Sequence, residues 1–379
     1  MKVLITGGTG TISSGLVEEA VNQGYETYAI TRGSNNQRNI DGAIYLHADI
    51  WNTEDVELKL GELYFDVIVE CLAYDVEQLK ISLINFSGRC KQYVFISTAA
   101  IYNRINSTRI RESDKKKFTE WSYTKDKIEC ENYLKDFSNK TGLKYTIVRP
   151  TVTYGDYRVP FPIATRTPGW TFFDRMIKGQ PILAADNVLF SIIHITDFSK
   201  MVVALFNNEK AINEDFHITS NKNDIYWDDV VKMSGKILNV TPKVVHVSEN
   251  VIKKIWPLIY DEIKYHKNTT QIFEDEKIRK ATNIEAKISI ESGIKQTIVA
   301  MKNEFECNNL TLDENWNIHC DAAIYYAYKK HLLMDSEMKI ASDYIQGNCE
   351  KVIKNNYKIV MRKNMKYNIK NNLKRIIGK

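Results

Sequence analysis

The chain is short of several things at once. Its 7 prolines and 17 glycines are nowhere gathered into a Gly/Ser- or Pro-rich linker, and no internal repeat is visible. The six cysteines (Cys71, Cys90, Cys130, Cys307, Cys320, Cys349) form no C-x-x-C pair and no zinc-ligand spacing. They read as free thiols of a reducing compartment, and no metal is expected. No apolar run reaches the ~18 residues a membrane span needs. Met1-Lys2 leads straight into Val3-Leu4-Ile5, which leaves no room for a signal peptide, so a cytoplasmic protein is expected.

What is present is ordinary for a soluble globular chain. With 44% hydrophobic and 26% charged residues it is neither collagen-like, coiled-coil nor disordered, and 379 residues suffice for a large core and two domains. The net charge of +5 is uneven. Glu350–Lys379 holds ten Lys/Arg and one Glu, a local +9, so residues 1–349 carry −4 (+5 less +9). That balance excludes a nucleic-acid surface over the body, and no nucleic acid is expected as partner.

Along the first 150 residues, short β-rich runs alternate with helical stretches. Strands are expected at Lys2–Thr6, Glu26–Thr31, Ala43–Leu46, Val67–Cys71, Tyr93–Ser97 and Tyr145–Val148, with helices at Ser14–Asn22 and Trp121–Asp136 among others. This rhythm predicts an α/β fold, a doubly wound parallel sheet covered on both faces. The apolar run Asp66-Val-Ile-Val-Glu70 fits a strand buried on both sides. After Pro150 the order loosens. Pro160, Pro162 and Pro168, with Gly155 and Gly169, mark residues 154–170 as a covering loop. Ser191–Ile195 and Phe216–Thr219 are expected to rejoin the sheet, and a helical tail follows Phe305. The expected division is a dinucleotide-binding domain over 1–155 with returning segments near 191–219, an interleaved α+β substrate domain over 156–190 and 220–305, and a helical basic extension over 306–379.

Thr6-Gly7-Gly8-Thr9-Gly10-Thr11-Ile12 stands between the first strand and the first helix. Glycines there allow a sharp turn and bring bare backbone N–H groups against a pyrophosphate at a helix N-terminus. The spacing is G-x-x-G, with Ser13 where a third glycine is usual. At the end of the second strand, where a carboxylate would bind the ribose 2′-hydroxyl of NAD, stands Thr31-Arg32-Gly33-Ser34-Asn35-Asn36. A guanidinium suits a 2′-phosphate better, so NADP is favoured slightly over NAD. Asp49-Ile50, after the third strand, is placed to meet the adenine.

Tyr123 and Lys127 form a Y-x-x-x-K pair, one helical turn apart and therefore on one face. Thr98 follows the strand Tyr93–Ser97 some 25 residues earlier. With these residues the chain resembles the extended short-chain dehydrogenase/reductase superfamily, in its nucleotide-sugar epimerase/dehydratase branch. The resemblance covers about residues 1–300 and also rests on Asp49-Ile50, Ser97-Thr98-Ala-Ala-Ile-Tyr102, Glu131, Arg149-Pro150, Tyr154-Gly155 and His194-Ile-Thr-Asp197.

The resemblance implies a Rossmann-type fold and a set of roles. Tyr123 would exchange a proton with the substrate. Its free pKa of about 10 would be lowered by Lys127 and the positive nicotinamide ring. Lys127 would also hold the nicotinamide ribose, and Thr98 would hydrogen-bond the reacting oxygen. The dinucleotide would be bound by Gly7, Thr9, Gly10, Thr11, Ile12, Arg32, Asp49, Ile50, Leu72, Ala73, Tyr123, Lys127 and Pro150. His194 would organise a strand end and take no part in catalysis.

Two departures narrow the activity. Ala99-Ala100 stands where sugar-nucleotide dehydratases carry an acidic pair, so dehydration is not expected. Phe190 stands where many epimerases place an arginine on the diphosphate; Arg158, Arg166, Arg175 and Lys264 are the alternatives. Trp170 could pack over a sugar or anchor the loop. An NAD(P)-dependent epimerase of a nucleotide-linked sugar is the expectation, a homodimer by family analogy. An NADPH-dependent ketoreductase is its rival, and a non-catalytic dinucleotide- or RNA-binding scaffold is the reading from another class. In the tail, Lys354, Lys358, Arg362, Lys366, Lys370 and Lys374 recur every four residues beside Ile353, Tyr357, Met361, Met365, Ile369 and Leu373. Such a helix packs on its own body or a second subunit, or touches a membrane surface or an acidic partner.

Overall fold

The computed structural model describes residues 1–33, 39–102, 109–156, 158–163, 170–347 and 350–377, the last eleven as backbone alone. Ser34, Asn35, Asn36, Arg166, Pro168, Gly169 and Cys349, singled out above, lie outside the described residues.

The chain divides into two compact units: residues 1–155, 190–224 and 271–293, and residues 156–189, 225–270 and 294–379. The first unit opens with β1 (Lys2–Thr6), α1 (Thr11–Asn22), β2 (Glu26–Thr31), β3 (Ile44–His47), α2 (Thr53–Leu60), β4 (Phe65–Glu70), α3 (Val76–Phe86), β5 (Cys90–Ile96), α4 (Ser122–Thr141), β6 (Tyr145–Pro150) and β7 (Val152–Tyr154). The second unit holds α5 (Trp170–Ile177) and β8 (Ile182–Ala184). The chain then returns to the first for β9 (Leu189–His194), α6 (Ile195–Val203) and β10 (Glu214–Ile218).

Seven strands pair in parallel in the order β10-β6-β5-β4-β1-β2-β3, which is the doubly wound sheet. Side chains alternate across a strand, so each strand serves two cores. Val3, Ile5, Val67, Val69, Val94 and Ile96 pack with Leu16 and Val17 of α1 and Phe198 and Met201 of α6. Leu4, Ile68, Tyr93 and Phe95 face Val56, Leu79, Leu83 and Leu134 of α2, α3 and α4. This explains runs that are apolar throughout rather than alternating. Local chemistry sets the helix ends. Asn52 and Asp75 accept backbone N–H groups at the starts of α2 and α3, and α4 runs five residues beyond the expected Asp136 until Gly142, at φ +77°, ends it.

One expectation is corrected. β10 joins the main sheet beside β6, but β9 does not: it pairs in parallel with β7, through Val152↔Ile192 and Tyr154↔His194. Both edges of β6 are already taken by β5 and β10, so the chain after Thr151 offers β9 a separate partner. Residues 271–293, read from sequence as part of the substrate domain, cluster with the first unit. There Ser191 N donates to Gln271 O at 2.9 Å, and Asp197 accepts from the N–H groups of Lys287 and Ile288 at 2.9 and 2.7 Å.

The second unit pairs β8 with a later strand over Val244–His246 and is otherwise mainly helical, including helices at Trp227–Leu238, Glu314–Lys329, Asp335–Gly347 and Glu350–Ile377. Its interior is held by Arg175. That guanidinium donates to Pro181 O (2.6 Å), Asn317 Oδ1 (3.3 Å) and Asp321 Oδ1 (2.8 Å). Among the described residues no helix is long and apolar enough to cross a membrane.

Candidate active site

The carboxyl ends of β1, β2, β3 and β4 open into a cavity of about 310 Å³. The chain leaves β1 through Gly7 and Gly8, both at positive φ (+96° and +90°), and Gly7 N donates to Ile30 O at 2.9 Å. A Cβ on Gly8 would lie 2.9 Å from that of Ala29, so the turn has no room for a side chain there. Gly10 caps α1. Its N–H reaches Ser13 Oγ at 3.2 Å, so the serine in place of a third glycine closes the cap. Thr9 lines the cavity, while Gly10, Thr11 and Ile12 continue from it into the first turn of α1. These residues leave backbone N–H groups at a helix N-terminus beside a cleft, which fits the diphosphate of a dinucleotide.

Gly7, Thr9, Arg32, Asp49, Ile50 and Leu72 line this one cavity. Arg32 is exposed at its rim, and Asp49 is exposed with Oδ1 accepting from Trp51 N at 3.2 Å. Pro150 is elsewhere: it is buried at the end of β6, paired with Ile218, and is not among the lining residues.

Glu70, at the end of β4, organises the wall opposite Arg32. Its buried carboxylate accepts from Thr6 Oγ1 (3.1 Å), Leu72 N (2.6 Å), Ala73 N (2.9 Å) and the Ser82 hydroxyl. Sequence reasoning treated it as one more residue of a buried strand. An acid closing an apolar run was the available signal. Tyr74 and Gln78, also in the lining, carried none: Gln78 Oε1 accepts from Tyr74 N at 2.8 Å, which only the folded chain reveals.

Lys127 is the link from the cavity to the Y-x-x-x-K pair. Only 2% exposed on α4, it donates from Nζ to Ala73 O and Ile96 O, each at 2.8 Å, and so ties the ends of β4 and β5 together. Burial lowers its pKa to about 8. An ammonium has three N–H donors, and two are spent on backbone carbonyls. The Tyr74 ring lies 5.1 Å from Nζ, and the half-buried Tyr123 ring packs between Tyr74 (6.3 Å) and Trp121 (5.0 Å). Thr98, two residues past β5, is buried with Oγ1 accepting from Ala100 N at 3.2 Å.

Behind this row lies a structural network. Ser97 Oγ donates to Glu131 (2.6 Å), which pairs with the buried Arg149 (2.8 Å), itself joined to Asp215 (2.6 Å). Against the upward push of burial, Arg149 and Lys116 hold Glu131 down at about 2. His194 caps α6, accepting Thr196 N on Nδ1 at 3.3 Å, and burial lowers its pKa to about 4; that is a structural role.

Of the residues considered for a substrate diphosphate, Arg175 is consumed inside the second unit by the bonds given above. Lys264 is held against the Tyr260 and Tyr265 rings at 5.6 and 4.9 Å. Arg158 is half-buried in the same unit. Trp170 is buried and stacks on Phe305 at 5.8 Å, which makes it an anchor of its own unit. Among the described residues no cluster of metal-ligating side chains occurs.

Comparison with known proteins identifies the family and the fold. Residues 3–219 match the model of the NAD dependent epimerase/dehydratase family. A protein of Methanocaldococcus jannaschii provisionally named UDP-glucose 4-epimerase is 26% identical over 249 residues, 57% of this chain and 80% of that one. Phenylcoumaran benzylic ether reductase TP7 of Nicotiana tabacum is 25% identical over 270 residues, 67% of this chain and 80% of the reductase. The structure of Thermus thermophilus UDP-glucose 4-epimerase in complex with NAD superposes with a TM-score of 0.65 at 17% identity, covering 80% of this chain and 99% of that one.

Proposed function

Because this chain belongs to the NAD dependent epimerase/dehydratase family, we propose that it inverts a carbon of a nucleotide-linked sugar by reversible hydride transfer. It is an NAD(P)-dependent enzyme of the short-chain dehydrogenase/reductase type. The observation that carries the proposal is Lys127: a buried ammonium fixed by Ala73 O and Ile96 O, one helical turn from Tyr123 and beside the glycine-turn cavity.

When bound, the nicotinamide supplies the hydride chemistry. The chain supplies the proton and the alignment. Tyr123 exchanges a proton with the sugar hydroxyl or the carbonyl it becomes. The nearby ammonium of Lys127 favours the phenolate that this requires. Thr98 orients the reacting oxygen. Ala99 and Ala100, buried where a dehydratase would hold its acids, leave no group there to expel water. The second unit is assigned to substrate recognition, and the protein to a homodimer, by family analogy.

Arg32 favours a second reading, a ketoreductase consuming NADPH. It is the cation at the β2 end of the cavity, where a carboxylate would otherwise select NAD. Mass spectrometry of the natively purified protein, followed by a nucleotide-sugar screen, separates the two. An epimerase retains oxidised dinucleotide and turns over without added reductant, whereas a reductase oxidises NADPH in step with product. Tyr123→Phe should lower turnover by ~100-fold or more with the dinucleotide still bound. Unchanged turnover in that variant refutes both.

A further inference from the structure

We propose that the C-terminal helix Glu350–Ile377 carries a basic stripe that docks on a bilayer containing anionic phospholipid. Its first half is fastened to the second unit by one face only. Ile353 and Val360 are buried, Asn356 Nδ2 donates to Asp321 Oδ2 at 3.1 Å, and Asn364 Nδ2 donates to Lys254 O (3.0 Å) and Ile255 O (2.9 Å). These positions are three and four residues apart, so they lie on one side of the helix.

Lys351, Lys354, Lys358, Arg362 and Lys366 follow the same spacing about half a turn away. All five are exposed. The asparagine bonds set the helix's rotation, so the stripe faces outward by construction. The sole acid of the helix, Glu350, is paired with Lys329 at 3.2 Å. A +9 segment thus stands on a chain whose other 349 residues sum to −4. The net excess of positive charge is concentrated in this segment.

Apolar residues accompany the charge and favour lipid over nucleic acid. Met365, between Arg362 and Lys366, is 62% exposed. In sequence, residues 367–377 add Ile369, Leu373, Ile376 and Ile377 to Lys370, Lys374 and Arg375. A duplex backbone would leave such side chains in water, whereas the headgroup–acyl boundary of a bilayer buries them. A helix of this length reaches roughly 40 Å, enough to lie along such a surface.

The test is flotation of the full-length protein with vesicles of phosphatidylcholine alone, or of equal parts phosphatidylcholine and phosphatidylglycerol. Binding to the mixed vesicles only, with release at raised salt, is expected. The triple variant Lys354→Glu/Lys358→Glu/Arg362→Glu should bind at least ~10-fold more weakly. The milder Lys354→Gln/Lys358→Gln/Arg362→Gln should fall between it and the parent, with thermal unfolding of both variants checked against the parent. Equal binding to uncharged vesicles, variants that float like the parent, or tighter binding to a short DNA duplex than to the mixed vesicles would each overturn the proposal. None of these readouts involves sugar chemistry, so the outcome is independent of the epimerase reading.

Discussion

The Tyr74 ring lies across the Lys127 ammonium, with Nζ 5.1 Å from its centroid, and the same residue lines the cavity at the ends of β1 to β4. One aromatic side chain therefore joins the β4 end of the cleft to the helix that carries Tyr123. It also helps keep water from an amine that burial holds at about 8.

That contact has a measurable consequence. Tyr74→Ala should let water reach Lys127, weaken the burial that lowers its pKa, and move that value up towards the ordinary 10.5. If protonated Lys127 is the active form, the alkaline limb of the pH–rate profile moves up by about one unit. A profile that stays in place while turnover drops would show that Tyr74 acts by shape alone.

Glu70 should be worth more than a surface acid. Glu70→Leu leaves Leu72 N–H and Ala73 N–H without their acceptor in a buried strand end, at a cost of about 2–4 kcal/mol. Glu70→Gln keeps one acceptor oxygen and should cost less than half as much. Urea midpoints at constant m-value measure both. A leucine variant as stable as the parent would mean that the loop finds other partners.

The glycine turn separates folding from binding. At Gly8, positive φ and a Cβ–Cβ approach of 2.9 Å to Ala29 make Gly8→Ala destabilising by about 2–3 kcal/mol. Gly10 is exposed at φ −84°, with Ser13 Oγ 3.5 Å from an added Cβ. Gly10→Ala should therefore change stability by less than about 0.5 kcal/mol and still weaken dinucleotide binding, read by titration calorimetry. Equal loss of stability in the two variants would contradict the geometry.

In the second unit, the His246 ring spans two carboxylates, Nε2 to Asp228 at 2.9 Å and Nδ1 to Glu337 at 2.7 Å. Bonding to Asp228 and Glu337 raises its pKa to about 8. A raised value means that the folded state binds the proton more tightly. The stabilisation is then complete below about 6.5, the unfolded value, and fades as pH rises through 8. It amounts to about 1–2 kcal/mol at this partly screened site. Urea midpoints taken from pH 6 to 9 should fall in the parent and stay flatter in His246→Gln.

How much of this could be read in advance follows from the range of the forces. The glycine turn, the Y-x-x-x-K pair and the strand–helix rhythm depend on residues a few positions apart, so the doubly wound sheet and Tyr123 with Lys127 were legible in the amino-acid order. β9 was misplaced because its partner depends on which edges of β6 remain open once β5 and β10 have taken them. Arg175 could pass for a diphosphate ligand until Asp321, 146 residues away, was seen to hold it. Glu70 gathers Thr6 from 64 residues upstream, and Lys127 reaches the carbonyls of Ile96, at the end of β5, and Ala73, just past β4. Sequence alone thus determined the fold class and the spacing that sets Tyr123 and Lys127 one turn apart on a single helix, since both rest on local periodicity. Tertiary structure decided which polar groups are spent on the scaffold, because a buried donor or acceptor takes whatever partner folding brings within reach.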